Sequence, residues 1–143
     1  LYLKDEQIKV FIENIFIGYR ETFSDAKKVL DNYSIGVAHQ KVILLISLHK
    51  GITISELLKK LKITKQSLNR VLRDLIKSKI IQQVRDGSDT RKKKLFLDKE
   101  GKIFFNKVYE AQKKRIFNAL RTSEPESVIK FNEVLNKIID GKK

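Results

Sequence analysis

Polar residues recur along residues 64–73 at a spacing that favours contact with nucleic acid. Gln66, Asn69, Arg70 and Arg73 are three, one and three positions apart, which places them on one face of a helix. An Arg side chain can bind guanine through two hydrogen bonds, and Asn or Gln can bind adenine in the same way. The same residue types are common on an ordinary solvent-facing helix, so this helix alone leaves both interpretations open.

The start of the same segment suits the phosphates of a nucleic acid. Thr64 is a predicted N-cap, because a hydroxyl side chain can accept a hydrogen bond from one of the free amides of the first turn. Lys65 and Ser67 follow at the helix N-terminus, where base and phosphate contacts concentrate in a helix that enters the major groove. Free backbone amides at that end add to the binding of phosphate. Thr64, Lys65 and Ser67 are therefore further candidate DNA-binding residues.

A second basic cluster follows shortly after this helix. Two short segments, 80–84 and 94–97, are predicted to be strands, and the residues between them include the turn-formers of 86–89. The resulting hairpin is a basic wing, and an Arg at its tip can enter the minor groove of DNA. A solvated charged loop is the alternative, and the position directly after a helix pair favours the wing. Its cationic residues are Arg85, Arg91, Lys92, Lys93 and Lys94.

The charge of the chain is concentrated in this central region. The net charge is +14, and residues 59–94 contain 13 Lys or Arg against three Asp, which leaves +10 in that segment. Net charge alone would also fit a generally Lys-rich, soluble protein. A clustered excess is typical of proteins that bind polyanions.

Several other classes of function are disfavoured by composition. The chain has no Cys and only two His, so we expect no disulfide, no thiol chemistry and no metal site. A phosphate-binding glycine loop and a nucleophile–base pair are also missing, which argues against an enzyme and against a cofactor. The sequence contains no apolar run of about 18 residues and no secretory signal. We therefore expect a cytoplasmic protein rather than a membrane protein.

The remaining residues predict long helices around the basic centre. With 6 Gly and 1 Pro in 143 residues, helices are favoured over many short strands. Apolar spacing predicts one long helix over 8–30 and a more uniformly apolar helix over 37–50 that Gly51 ends. A short helix capped by Thr53 with Glu56 leads into the polar helix, and the two form a helix-turn-helix. The fold class is thus mainly α with a small β-hairpin.

Two further helices are predicted after the hairpin. Asp98 can cap a long helix that carries Phe104, Val108 and Leu120. Ser123 with Glu126 reads as a capping box for the last helix. The apolar stripes of the first and last helices lie outside the helix-turn-helix, so packing against a second copy of the chain is the economical way to cover them.

The ordered motifs resemble the MarR family of winged helix-turn-helix regulators. Asp89-Thr90-Arg91, followed by Leu97 and Gly101, looks like the wing of that family, and 63–70 resembles the entry to its recognition helix. The resemblance implies that Arg91 contacts the minor groove and that Asp89 orients it through a charged hydrogen bond. It also implies a dimer built from the first and last helices. Lys92 and Lys93 complete the candidate DNA-binding residues.

Three positions depart from the family's pattern. Lys79 stands where the family usually has Gly, which requires either a left-handed residue or a different helix exit. Gln83 stands where Arg is common, and Asp98 replaces a Thr. The departures at Lys79 and Gln83 bear on the orientation of the wing rather than on the fold.

Family members often sense small, frequently phenolic, molecules in a cleft between the dimerisation helices and the DNA-binding lobe. The resemblance makes Tyr19, Arg20, Tyr33 and His39 candidates for such an effector site, since Tyr and His combine an apolar body with a polar tip. Ordinary core or interface residues are the alternative.

Taken together, the sequence predicts one protomer over 1–143. Its winged helix-turn-helix lobe spans 37–98, and its dimerisation helices lie in 1–36 and 99–143. The expected function is sequence-specific binding of double-stranded DNA by a homodimer on an inverted-repeat operator, with the recognition helix in the major groove, the wing in the minor groove and a small molecule as effector. The alternative is a non-specific, architectural nucleic-acid-binding protein.

Overall fold

The computed structural model describes residues 3–89 and 91–141, and within them it contains seven helices and three short strands. The prediction of a mainly helical fold with a small β-hairpin is confirmed, and a third strand joins the hairpin. In chain order the elements are α1 (Asp5–Ser24), α2 (Lys27–Asn32), α3 (Val37–Leu48), β1 (Ile52–Thr53), α4 (Ile54–Leu61), α5 (Lys65–Lys77), β2 (Ile81–Arg85), β3 (Lys93–Leu97), α6 (Lys99–Arg121) and α7 (Pro125–Asp140).

The sheet is antiparallel in the order β1-β3-β2. Gly51 was predicted to end α3 as its cap, and this was wrong. His49 is the cap residue, and its N–H donates to the Leu45 carbonyl at 2.9 Å. Gly51 has a φ of +83° and donates its N–H to the Leu95 carbonyl at 3.0 Å, so its left-handed backbone leads the chain into β1.

A single core joins the helix-turn-helix to the start of α6. The apolar positions of α3 and α5 recur at three and four residues, which gives each helix one buried stripe. α3 packs against α5, α6 and β3, and α5 packs against α3 and β2. The largest side chains that are almost fully buried are Phe104, Ile43, Ile46, Leu57, Leu68, Leu75, Ile81, Leu95, Val42 and Val108.

Both helices of the helix-turn-helix begin at a capped residue. The Glu56 N–H donates to Thr53 Oγ1 at 3.2 Å, and the Thr53 hydroxyl donates in turn to Glu56 Oε1 at 3.0 Å. At the start of α5 the Ser67 N–H donates to Thr64 Oγ1 at 3.1 Å. Between them Lys62, with a φ of +51°, turns the chain out of α4. The predicted caps are therefore confirmed, and they fix the direction in which α5 starts.

The exit from α5 contains a left-handed residue that is not glycine. Lys79 has a φ of +58°, and its N–H donates to the Ile76 carbonyl at 3.0 Å. The Ile80 N–H reaches back to the Leu75 carbonyl at 2.9 Å. These two bonds form a Schellman motif, in which an L-residue at the left-handed position is strained. Of the two exits that the sequence allowed, the left-handed one is observed.

Gly101 lies where the first turn of α6 packs against Ile80, in the segment between α5 and β2. Asp98 caps α6 by accepting the Lys99 N–H at 2.8 Å, and its own N–H donates to the Ile80 carbonyl at 2.9 Å. A Cβ built on Gly101 would lie 1.8 Å from that same carbonyl oxygen. Glycine therefore allows α6 to pack directly against the backbone that connects the recognition helix to the wing.

The predicted continuous helix over 8–30 is wrong, since the chain breaks at Asp25–Ala26 into α1 and α2. Arg115 on α6 holds this break: its Nη2 donates to Asp25 Oδ1 at 3.0 Å, and its Nε binds the other carboxylate oxygen. The hydrogen bonds from Arg115 lower the pKa of Asp25 below its usual value. Ala26 is completely buried beside this contact, so a tertiary interaction interrupts a helix that the apolar spacing alone would continue.

The predicted capping box of Ser123 with Glu126 is also wrong. Glu124 is the residue that precedes α7, it makes no side-chain cap bond, and Pro125 is the first helical residue. Ser123 instead donates its hydroxyl to the Ala119 carbonyl at 2.7 Å, at the end of α6. None of the described residues of α1 or α7 is buried within the protomer.

Candidate nucleic-acid interface

The recognition helix α5 separates its residues into a buried and an exposed face. Leu68, Val71, Leu72 and Leu75 are buried in the core. The predicted polar residues all lie on the exposed side of the helix, as the sequence spacing indicated. These are Lys65, Gln66, Ser67, Asn69, Arg70 and Arg73.

At the N-terminus of α5, the hydroxyls of Thr64 and Ser67 differ in whether they can donate a hydrogen bond to a ligand. Thr64 donates its hydroxyl hydrogen to Ser67 Oγ at 2.8 Å and accepts the Ser67 N–H. Ser67 accepts in this pair, so its own hydroxyl hydrogen is free to donate to a phosphate oxygen. Thr64 therefore acts by holding the helix start in place, and Ser67 and Lys65 are the side chains able to donate there.

The wing consists of β2, β3 and the turn between them, with Arg85 paired opposite Lys93. Asp86 organises the first half of the turn, since it accepts the Ser88 N–H at 3.1 Å and the Ser88 hydroxyl at 2.9 Å. These bonds, with the main-chain bond as the largest cause, lower the pKa of Asp86. Asp86 therefore remains anionic within a strongly basic hairpin and acts there as a structural residue.

Asp89 holds Arg91 chiefly through the main chain. Asp89 Oδ1 accepts the Arg91 backbone N–H at 3.0 Å, whereas the distance from the same oxygen to Arg91 Nε is 3.6 Å. The resemblance implied a charged hydrogen bond between the two side chains, and this distance is too long for one. The Arg91 side chain is 93% exposed and extends from the wing, while Thr90 lies outside the described residues.

A groove of about 580 Å³ joins the recognition helix to the wing. Gln66, Asn69 and Arg73 line it from α5, and Gln83 and Lys93 line it from the two wing strands. Lys93 also borders a second concavity of about 520 Å³, where Arg91 and Lys92 face the start of α4. The two basic elements thus form one continuous surface. Two of its lining residues, Gln83 and Ser55, were not predicted as site residues, because a neutral side chain on a short element gives no charge signal.

The four candidate effector residues do not lie together. Tyr19 and Arg20 line a cavity of about 370 Å³, which Leu30, Ile35 and Gly36 also border. Neither Tyr33 nor His39 is among its lining residues, so this cavity brings together only two of the four, and an effector role for Tyr33 and His39 stays a prediction.

Both residues are engaged elsewhere in the protomer. The ring of Tyr33 packs on Phe104, with the ring centroids 4.4 Å apart. His39 Nε2 lies 2.9 Å from Asp74 Oδ2 on α5. Tyr33 therefore covers a core residue from the exposed side, and His39 faces the recognition helix.

Neither a metal centre nor a membrane span is found in the part of the chain that the structure describes. No three His, Cys, Asp or Glu side chains in 3–89 and 91–141 come close enough to hold a metal ion. Within the same residues, no helix has the length and apolarity that a membrane crossing requires.

Comparison with known proteins connects this geometry to a family. A family profile described as MarR family matches residues 37–92. The HTH-type transcriptional regulator PetP of Rhodobacter capsulatus is 36% identical over 140 residues, which are 98% of this chain and 84% of PetP. The chain belongs to the MarR family. As a MarR-family chain it is a helix-turn-helix transcriptional regulator rather than an enzyme.

Two solved structures of DNA-bound proteins share its fold. FabT of Streptococcus pneumoniae, solved in complex with DNA, is 18% identical, with a TM-score of 0.77 over 96% of each chain. A putative MarR family transcriptional regulator from Listeria monocytogenes, solved with a 26mer DNA, is 17% identical, with a TM-score of 0.78 over 91% of this chain and 87% of that one. At these identities the likeness extends to the winged-helix fold alone.

Proposed function

We propose that this MarR-family regulator reads a specific sequence in double-stranded DNA, with α5 in the major groove and the wing in the minor groove. The observation that carries the proposal is the continuous basic groove that runs from Asn69 and Arg73 to the wing residues Gln83 and Lys93. Both solved neighbours named above are complexes with DNA, which supports the same ligand for this fold. Side chains on α5 contact base edges, and Ser67 with Lys65 holds phosphates.

Alanine variants of Arg70 and Arg91 test the major-groove and minor-groove contacts separately. Arg70→Ala should cost about 1–3 kcal/mol of binding free energy and relax base preference at one position in each half-site. Arg91→Ala should weaken binding most where the flanks are A·T-rich, because their narrow minor groove attracts an inserted Arg.

Each change removes one positive charge, so the two variants are matched controls for general electrostatics. Affinities would be compared at constant salt on duplexes whose flanks are switched between A·T and G·C. If Arg91→Ala loses the same affinity on both flanks and Arg70→Ala changes no base preference, the assignments fail and non-specific architectural binding is favoured.

The terminal helices supply the dimer in this proposal, with the winged lobe over 37–98 and the dimerisation helices in 1–36 and 99–143. Large apolar side chains of these helices are exposed in the protomer, with Phe11 58%, Phe131 59% and Ile139 70% exposed. Patches of this kind are typical of protein interfaces, and a second copy covers them by two-fold symmetry.

Truncation tests this interface. Deletion of residues 126–143 should convert the dimer to a monomer in sedimentation and weaken DNA binding. A well-folded dimer of unchanged affinity would contradict the assignment.

The cavity bordered by Tyr19 and Arg20 is the proposed effector site. Its lining is mostly apolar and includes the charged residues Arg20, Lys27 and Asp31. Lys27 is paired with Asp31 at 2.9 Å, so Arg20 is the cation that would meet a small aromatic anion here. Titration with aromatic carboxylates should release DNA from the wild type and should require higher concentrations for Arg20→Gln. Equal responses of both proteins would place the site elsewhere.

A further inference from the structure

A histidine joins the first turn of α3 to the recognition helix. His39 Nδ1 lies 3.3 Å from the Gly36 backbone nitrogen and accepts its N–H. His39 Nε2 lies 2.9 Å from Asp74 Oδ2. Because Nδ1 is an acceptor, the ring carries its hydrogen on Nε2 and donates it to the carboxylate. One imidazole thus makes two directional bonds to segments 35 residues apart.

Asp74 is placed to fix how α5 is rotated. It follows Arg73 directly and lies one turn beyond Arg70, on the part of the helix that faces away from the core. The buried stripe of α5 is entirely aliphatic, and apolar contact is non-directional. A hydrogen bond has a narrow range of distance and angle, so it restricts rotation about the helix axis in a way that leucine packing does not. The His39 side chain is 18% exposed and Asp74 is 53% exposed, so the bond is partly shielded from water.

The two bonds of His39 form a bridge from Asp74 to Gly36, and its Gly36 end lies at the cavity that Tyr19 and Arg20 line. Gly36 and the adjacent Val37 both line that cavity, and Gly36 is also the residue whose N–H binds His39. The wall of the cavity and the recognition helix are therefore separated by a single side chain.

We propose that His39 is a positioning residue, which ties α5 to the first turn of α3 beside this cavity and so sets the angle at which the α5 side chains meet the bases. This inference rests on the proposed function, because it assigns the bridge to the helix that reads DNA. It concerns specific rather than general binding, since contacts to base edges need closer alignment than contacts to phosphates.

Replacing His39 by Asn or Gln distinguishes its bond to Gly36 from its bond to Asp74, because each amide side chain can keep only one of them. In His39→Asn the amide oxygen can replace Nδ1 toward Gly36, but the side chain is too short to reach Asp74. In His39→Gln the amide nitrogen can replace Nε2 toward Asp74. Asp74→Ala removes the acceptor and also a negative charge, which by itself would strengthen binding to any DNA. The double variant of His39→Asn with Asp74→Ala completes the cycle.

The affinity assay uses two duplexes of equal length, one selected from a random pool by the wild type and one scrambled. We expect His39→Asn and Asp74→Ala to bind the selected duplex about fivefold more weakly, with the double variant no weaker than either. His39→Gln should remain within twofold of the wild type, and no variant should bind the scrambled duplex more weakly. The proposal is overturned if His39→Asn binds the selected duplex like the wild type, if His39→Gln falls as far as His39→Asn, or if the two losses multiply.

Hydrogen exchange of the α5 amides, measured without DNA, separates this proposal from the proposed function. Exchange should be faster in His39→Asn and Asp74→Ala and unchanged in His39→Gln. If the wild type selects no duplex, the DNA-reading function fails while the exchange pattern still shows whether the bridge holds α5. Equal exchange in all four proteins would contradict the bridge even where selection succeeds.

Discussion

Replacement of Gly101 by alanine tests the packing that connects the two halves of the protomer. The new Cβ would lie 1.8 Å from the Ile80 carbonyl oxygen and 2.8 Å from the carbonyl carbon. Because both atoms are backbone, no side-chain rotation relieves the overlap, and α6 must move by more than 1 Å, on the order of the missing van der Waals separation. That movement also stretches the hydrogen bond from the Asp98 N–H to the same oxygen.

The size of the change in stability follows from two costs and one gain. Forced overpacking of a tight site costs about 1–3 kcal/mol, and loss of a main-chain hydrogen bond adds about 1 kcal/mol. Alanine returns up to about 1 kcal/mol through its higher helix propensity. We therefore expect Gly101→Ala to lower the free energy of unfolding by about 1–4 kcal/mol.

Urea unfolding followed by circular dichroism measures this change, with Gly87→Ala as the control. A Cβ at Gly87 meets no atom within 4 Å, so that variant should unfold within about 0.5 kcal/mol of the wild type. A Gly101→Ala protein as stable as the wild type would refute the close approach of α6 to Ile80.

Two further predictions concern other parts of the fold. Because the pKa of Asp25 is lowered by Arg115, the pair stabilises the protein above the usual Asp pKa of 3.8, and the stabilisation is lost as pH falls below that value. Asp25→Asn should modestly lower the free energy of unfolding at pH 7, since the pair is partly exposed, and the difference from the wild type should narrow in unfolding curves as pH falls below 3.8 and through the lowered pKa of Asp25. Lys79→Gly should raise the free energy of unfolding by about 0.5–1 kcal/mol, because glycine relieves the strain of a φ of +58°. Lys79→Ala keeps that strain and removes the same charge, so an equal gain in both variants would assign the effect to charge.

Local sequence rules predicted those parts of the molecule that depend on neighbours along the chain. The caps at Thr53, Thr64 and Asp98 each act within three residues, and a hydroxyl or carboxylate beside an apolar stripe is sufficient to reveal them. The two faces of α5 follow in the same way from helical periodicity. At only two residues, β1 was too short to show any alternation.

The features that the sequence missed depend on contacts between distant segments. Apolar spacing continues through Asp25, and the break there is held by Arg115, which is 90 residues away. His39 and Asp74 are 35 residues apart, and nothing in either local pattern indicates that they meet. The ring of Tyr33 packs on Phe104, and nothing in the local pattern around either residue indicates this contact.

Selection of bound duplexes from a random pool by the wild-type protein, followed by footprinting of the enriched sequence, tests the central claim most directly. A dimer with one recognition helix per protomer should enrich an inverted repeat with half-sites about 10 base pairs apart, centre to centre, and should protect both halves on one side of the DNA. Enrichment of no sequence, or protection of a single asymmetric half-site by one protomer, would contradict the account.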